Sequence, residues 1–402
     1  MNLEFNFVVD AVIRTKIYPA LAQHQAEPYT QSWREFGNHW PYTTPLRIQE
    51  YCESHGVRIN TFTVEQFPNN SFYPICLGFF HFEIDYFDLL PATIQSAVRD
   101  RNLRILFFYH EGDNPERIKQ RLDQLVEQHQ LPSSCYRFVS ANSKADELEG
   151  FVTFHDFEFW YYQRNIDTPP FPVHTGTRSR EFVCLNRIHK WWRASAVADL
   201  NRLDLLSNSY WSYCEAPPDD DCTHDNPIEI DTIGQLRIDT IGQLRCYLTK
   251  FIANAPYFSD ELSQDQRNNH ALVEPKYFTD AYCHIVLESQ FDLDQSGGVF
   301  ITEKTFKPIK HGQMFFVAGG VGSLQALRDL GYRVFDHVLD NSYDLEPDHT
   351  QRWMLLTDAI ATAQQQGIAQ LFEQCQEDLI HNQQLFSHNK ASRLNTLLER
   401  LQ

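Results

Sequence analysis

The stretch Val299–Asp344, VFITEKTFKPIKHGQMFFVAGGVGSLQALRDLGYRVFDHVLDNSYD, decides the fold. It reads as an apolar lead-in, a basic helix, a buried strand, a glycine turn, a second helix and another strand. Met314–Ala318 (MFFVA) is wholly apolar, as a strand covered on both faces must be. The Gly319-Gly320-Val321-Gly322-Ser323 run behind it supplies a tight turn into the next helix.

The same alternation extends outward. Upstream lie a buried strand at Tyr282–Phe291 and another at Glu181–Leu185. The latter runs through the basic turn Asn186-Arg187-Ile188-His189-Lys190 into a helix from Trp191 to Leu206, then a strand at Ser209–Cys214. In the first half, Leu46–His55 has helical spacing, and Val57–Val64 alternates as a strand does. Phe72–Leu90 opens with a strand, Pro91–Arg99 suits a helix, and Leu103–Tyr109, Pro115–Gln128 and Tyr136–Ser140 form a strand–helix–strand unit. Phe151–Tyr162 is aromatic and strand-like, whereas Thr168–Arg180 is a Pro-, Thr-, Gly- and Arg-rich linker. The expectation is an α/β chain with two Rossmann-like domains, 1–175 and 181–350. A helical tail, 351–402, packs back on the body.

Composition narrows the function. With 30 Phe, 18 Tyr and 7 Trp in 402 residues, the chain has the apolar surface to fold. A net charge of −19 argues against nucleic acid or an anionic membrane as the main partner, so local basic clusters stand out as anion sites. The nine cysteines are odd in number and lack a CxxC, which supports neither a disulfide framework nor a zinc ribbon. No apolar run reaches the ~20 residues of a membrane span, and the N-terminal segment lacks a signal-peptide pattern. A cytoplasmic protein without an integral membrane segment is expected. The exact repeat IDTIGQLR, at Ile230–Arg237 and Ile238–Arg245, is too short for a solenoid unit and reads as a local duplication.

Candidate chemistry gathers in the second half. Thr302 can cap the basic helix, whose free amides favour an anion. Lys304, Lys307 and Lys310 follow at intervals of three, with Pro308 positioned to end or kink the helix. A helix N-terminus with a lysine row suits a diphosphate, and Glu303 suits a ribose hydroxyl pair. The competing reading is a solvated lysine face that Glu303 balances. Gly320, Gly322 and Ser323 either approach a ligand closely or form a structural turn; GGxGS is not a full dinucleotide fingerprint. Asp219-Asp220-Asp221 reads as a solvated acidic loop, with a metal-holding motif as the alternative.

ITEKTFKPI, the glycine turn and LGYRVFD…SYD together resemble the donor domain of GT-B glycosyltransferases, and more narrowly alpha-1,3-fucosyltransferase-like proteins with their TEK signature. FVCLNR (Phe182–Arg187), with Arg193 six residues on, is similar to the strand-to-helix start of that domain. The resemblance covers roughly Glu181 to Asp344. It implies two domains facing a cleft, a nucleotide-sugar donor, a glycan or other hydroxyl acceptor, and no metal or other cofactor. Glu303 would hold the ribose. Lys304 or Lys307 would meet the phosphates, with Asn186, Arg187 and Arg193 opposite the leaving group, whose charge fixed cations can stabilise. TEKTF departs from the family's TEKLW-like continuation, which leaves guanine and fucose selectivity open. An inverting transfer needs a base. The candidate is Glu111 in the loop after Leu103–Tyr109, with His110 and Asp113 as alternatives and a polar helix-capping loop as the competing reading. His155, Asp156 and Glu158 form a second acidic cluster and a weaker candidate for the base, more simply explained as an alternating strand surface. A non-catalytic nucleotide- or glycan-binding protein, or a metal-dependent GT-A-type transferase, are the other functions the sequence admits.

Overall fold

The fold is that of a computed structural model, which describes residues 4–10, 47–78, 80–173, 176–186, 190–213, 251, 254–255, 257, 274–291, 297–388 and 390–402. The IDTIGQLR repeat, Asp219–Asp221 and Arg187 lie outside the described residues. Strands β1 (Glu4–Val8), β2 (Arg58–Phe62), β3 (Phe72–Leu77), β4 (Arg104–Tyr109), β5 (Tyr136–Ser140) and β6 (Phe151–Thr153) come first. Among them run helices α1 (Arg47–Ser54), α2 (Ala92–Asp100), α3 (Pro115–Gln128) and α4 (Asp156–Arg164). Next come β7 (Arg180–Asn186), α5 (Trp191–Arg202), β8 (Ser209–Tyr213), α6 (Lys276–Thr279), β9 (Ala281–Leu287), α7 (Glu303–His311), β10 (Met314–Ala318) and α8 (Ser323–Asp329). The chain ends in α9 (His349–Gln366), α10 (Ile368–Gln374), α11 (Gln376–Ser387) and α12 (Lys390–Leu401).

These elements divide into two compact units, each with a parallel sheet and Rossmann-like in plan. One comprises Met1–Phe159, Gln295–Phe300 and Asn389–Gln402; the other comprises Trp160–Asp294 and Ile301–His388. The division falls within α4, upstream of the linker expected at Thr168–Arg180. That segment is rooted in the second unit instead. Phe171 packs beside Val183 and Phe278, and the buried Arg178 donates to the carbonyls of Phe278 and Ala281, both at 2.6 Å.

In the first unit the sheet order is β2-β1-β3-β4-β5-β6, all parallel. Side chains alternate between its faces. Ile105, Phe107 and Tyr109 join the core under α2 and α3, while Leu106 and Phe108 join the opposite one. That second core is completed by Leu394, Leu397, Leu398 and Leu401 of α12. Burying one leucine side chain contributes about 1.5–3 kcal/mol, so four of them are a large share of a domain's stability. The helical tail therefore divides: α9–α11 belong to the second unit and α12 to the first.

Phe154–Tyr162 is not the alternating strand surface expected. β6 stops at Thr153, and Asp156–Arg164 is helical. Glu158 is fully buried there, with Lys390 Nζ 2.5 Å from one carboxylate oxygen and Arg393 on the other. The segment after α8 also differs from expectation. Tyr332–Asp336 forms no strand, and Phe335 has φ of 66°, a left-handed conformation that strand pairing does not accommodate. β10 is thus the edge of the second sheet, whose order is β10-β9-β7-β8.

Candidate functional site

Topology singles out one place in the second unit. From β7 the chain moves outward to β8, and from β9 it moves the opposite way to β10. Between β7 and β9 the connections diverge, and in open parallel sheets the crevice beyond such strand ends is where ligands bind. The residues there are Asn186 at the end of β7, Glu288 and Ser289 just past β9, and the first turns of α5 and α7.

α7 forms as its sequence dictates. Thr302 is the N-cap, its Oγ1 accepting from Lys304 N at 3.4 Å, and Gly312 closes the helix with φ of 67°. Pro308 does not end it; the helix runs on to His311. Burial of Phe306 and Ile309 offsets the about 3 kcal/mol that an internal proline costs. Nor is the lysine row one solvated face. Lys304 and Lys307 are half-buried, while Lys310 is buried and donates to Asn165 O at 2.6 Å. Burial pushes the Lys310 ammonium down to about 8.

Three cations converge on the dipeptide after β9. Arg193 donates to Glu288 O from Nε at 3.1 Å and from a terminal guanidinium nitrogen at 2.7 Å. Lys190 Nζ donates to Ser289 O at 3.0 Å. Lys304 Nζ reaches Ser289 Oγ at 3.3 Å, Thr302 Oγ1 at 3.1 Å and Glu303 Oε1 at 3.1 Å. With Glu288 and Glu303 the cluster is three cations against two carboxylates, one net positive charge in a chain of −19. Phe291, two residues beyond Ser289, stacks on Trp192 at 5.3 Å and carries the Arg352 guanidinium 4.5 Å from its ring centre. The loop is therefore held from several sides.

The second glycine-turn site is filled from within. Gly322, at φ of 81°, caps α8, and Ser323 is its first residue rather than its cap; Ser323 Oγ donates back to Gly320 O at 2.6 Å. The α8 amides of Leu324 and Gln325 donate to the Asp344 carboxylate at 2.8 and 3.0 Å. An internal carboxylate holds the place a phosphate would take, so Gly320, Gly322 and Ser323 form a structural turn. Asn186 is buried, with its N–H on Ser212 Oγ at 3.2 Å, and Arg187 lies outside the described residues.

No family model matches the sequence, and no curated protein matches it significantly.

Glu111 stands in the first unit, half-buried, with its carboxylate 3.6 Å from His110 Nε2. The loop around it is tied down: Asn142 Nδ2 donates to Gly112 O at 2.9 Å, Tyr109 OH donates to Asp113, and Asn114 caps α3. Asp113 is thus engaged by a buried phenol. Asp85, Asp88 and His129 in the same unit are grouped closely enough to ligate a cation, and the 2.8 Å His129–Asp85 pair accounts for the grouping equally well. Sequence reasoning missed Glu288 altogether. YCHIVLES shows only a buried strand ending in polar residues, although a carboxylate at the end of an otherwise apolar parallel strand is itself a signal.

Proposed function

We propose that the second unit binds the diphosphate of a nucleotide-sugar beyond the carboxyl ends of β7 and β9, and that the protein is a GT-B-type glycosyltransferase. The observation that carries this is the convergence of Lys190, Arg193 and Lys304 on Glu288–Ser289 at the divergence of the second sheet. When the glycosyl–phosphate bond breaks, charge builds on the departing diphosphate. Cations already oriented by the backbone stabilise that charge without reorganising. Arg193 is fixed by two hydrogen bonds to one carbonyl, so it keeps its orientation throughout. Lys304 is held by side-chain oxygens, and it can exchange these hydroxyl and carboxylate partners for a phosphate oxygen. Glu303, its neighbour, is the acceptor for the ribose hydroxyls. In this reading Glu111 takes the proton from the acceptor hydroxyl, and the transfer inverts configuration.

Titration calorimetry with a panel of nucleoside diphosphates and nucleotide-sugars, with and without EDTA, tests the reading. A charge-assisted hydrogen bond contributes about 1.5–3 kcal/mol, so Lys304→Ala should bind the preferred diphosphate about 10- to 100-fold more weakly. Donor hydrolysis by the wild type and not by Glu111→Gln would separate catalysis from binding alone. Absence of nucleotide binding at millimolar concentrations, or unchanged affinity in Lys304→Ala, overturns the proposal.

A further inference from the structure

The group that assembles this site is one that touches no ligand in the reading above. Glu288 is fully buried, and it is engaged at both ends. Its carbonyl holds the Arg193 guanidinium by two hydrogen bonds. Its carboxylate accepts four more: Oε1 from Thr302 N at 3.0 Å and Thr305 Oγ1 at 2.6 Å, Oε2 from Thr302 Oγ1 at 2.6 Å and Ser289 N at 3.2 Å. Thr302 is the cap of α7 and a direct partner of Lys304 Nζ. One residue therefore sets the position of Arg193 on α5 and, through Thr302, of Lys304 on α7.

We infer that Glu288 is the positioning residue of the nucleoside-diphosphate site, fixing the spacing between the Arg193 and Lys304 cations. This rests on the nucleotide reading of the same site. The hydrogen-bond pattern makes the requirement for a carboxylate specific. Each oxygen takes one backbone N–H, which cannot reverse, and one hydroxyl, which can. A glutamine has one acceptor oxygen and one donor nitrogen. In either orientation its –NH2 faces a backbone N–H, that of Thr302 or that of Ser289. Both lie in the segment that sets the cations, so the repulsion displaces the cap of α7 or the Ser289 carbonyl that holds Lys190. Size is unchanged, so packing around the side chain is preserved.

The test compares a nucleoside diphosphate with its parent nucleoside on wild type, Glu288→Gln and Asp344→Ala, the last destabilising the same unit through the other helix cap. In Glu288→Gln the diphosphate should lose about tenfold or more in affinity while the nucleoside stays within about twofold. Asp344→Ala should show no such split. A purely structural role predicts equal losses for both ligands, and that result, or an unchanged diphosphate affinity, overturns the inference. If Glu288→Gln does not fold, Thr305→Val, which removes one of the four donors, should give the same split on a smaller scale, and equal losses there overturn it. Wild-type protein that binds no diphosphate fails the functional reading itself. Wild-type binding with an unaltered Glu288→Gln fails only the role of Glu288.

Discussion

Replacing Glu158 by glutamine should destabilise the first unit by about 3 kcal/mol, and the structure indicates where that figure comes from. Glu158 is fully buried, and both of its oxygens face cations, Lys390 at 2.5 Å and Arg393. The substitution is isosteric, so no cavity forms and the loss is electrostatic. Removing one partner of a buried pair costs about 3–5 kcal/mol, against 0–1 for an exposed pair. The Lys390 side chain is 2% exposed and falls in the first class; that of Arg393, at 17%, is partly screened, which places the total near the lower end of that range, about 3 kcal/mol. Burial already pushes the Lys390 ammonium down, and the Glu158 charge opposes that. Without Glu158 the folded pKa falls further below its unfolded value. The deficit is complete below that lowered folded pKa and narrows as pH rises through it toward about 10, where the unfolded lysine also loses its proton. Urea titrations at pH 7 and 9.5 read both effects, and the apolar pair Glu158→Leu with Lys390→Met should recover most of the loss. A Glu158→Gln deficit under about 0.5 kcal/mol, or one that grows with pH, would refute the reasoning.

Two further outcomes follow from geometry and burial. An alanine Cβ at Gly112 would lie 2.2 Å from Phe300 Cγ, so Gly112→Ala should cost about 1–3 kcal/mol by overpacking; Phe300→Leu in the same chain should recover part of it in thermal melts, and an unchanged melting temperature for Gly112→Ala alone counts against this packing. Burial is the main cause that lowers His284 to about 4 and His311 to about 3. Both are neutral when folded and gain protons near pH 6.5 when unfolded, so stability present at pH 7 should be lost below pH 6.5, by about 2 kcal/mol per histidine at pH 5. His284→Asn with His311→Gln should flatten that slope in urea titrations, and an identical slope would show that other groups cause it.

What the sequence made legible was local. The Thr302 cap, the continuous apolar runs of β4, β9 and β10, and the amphipathic α3 each carry their own signal within a few residues. α4 escaped because FEFWYY is buried nearly all round, which leaves no polar face to reveal a helical period. The glycine turn looked open because its capping carboxylate, Asp344, lies 20 residues away from Leu324. Glu288 was overlooked because Thr302 and Thr305, which supply three of its four carboxylate partners, sit at the start of a helix that begins 15 residues later. Local propensity found the elements; pairings distant in sequence decided which of their polar groups remain available.

The interleaving of the two units has a consequence for synthesis. Trp160–Asp294 and Ile301–His388 leave the ribosome as a nearly continuous block, whereas the core of the first unit waits for the four leucines of α12, the last of them Leu401. Completion of the first unit's core thus comes after the second unit's residues have been made, in contrast to the usual N-terminal-first order. Until α12 is made, the core around Phe5, Phe7 and Phe108 has its α1 and α4 residues, Ile48, Tyr51, Cys52 and Phe159, and still lacks four leucines; this is the stage at which a holdase chaperone or an aggregating neighbour would meet the chain.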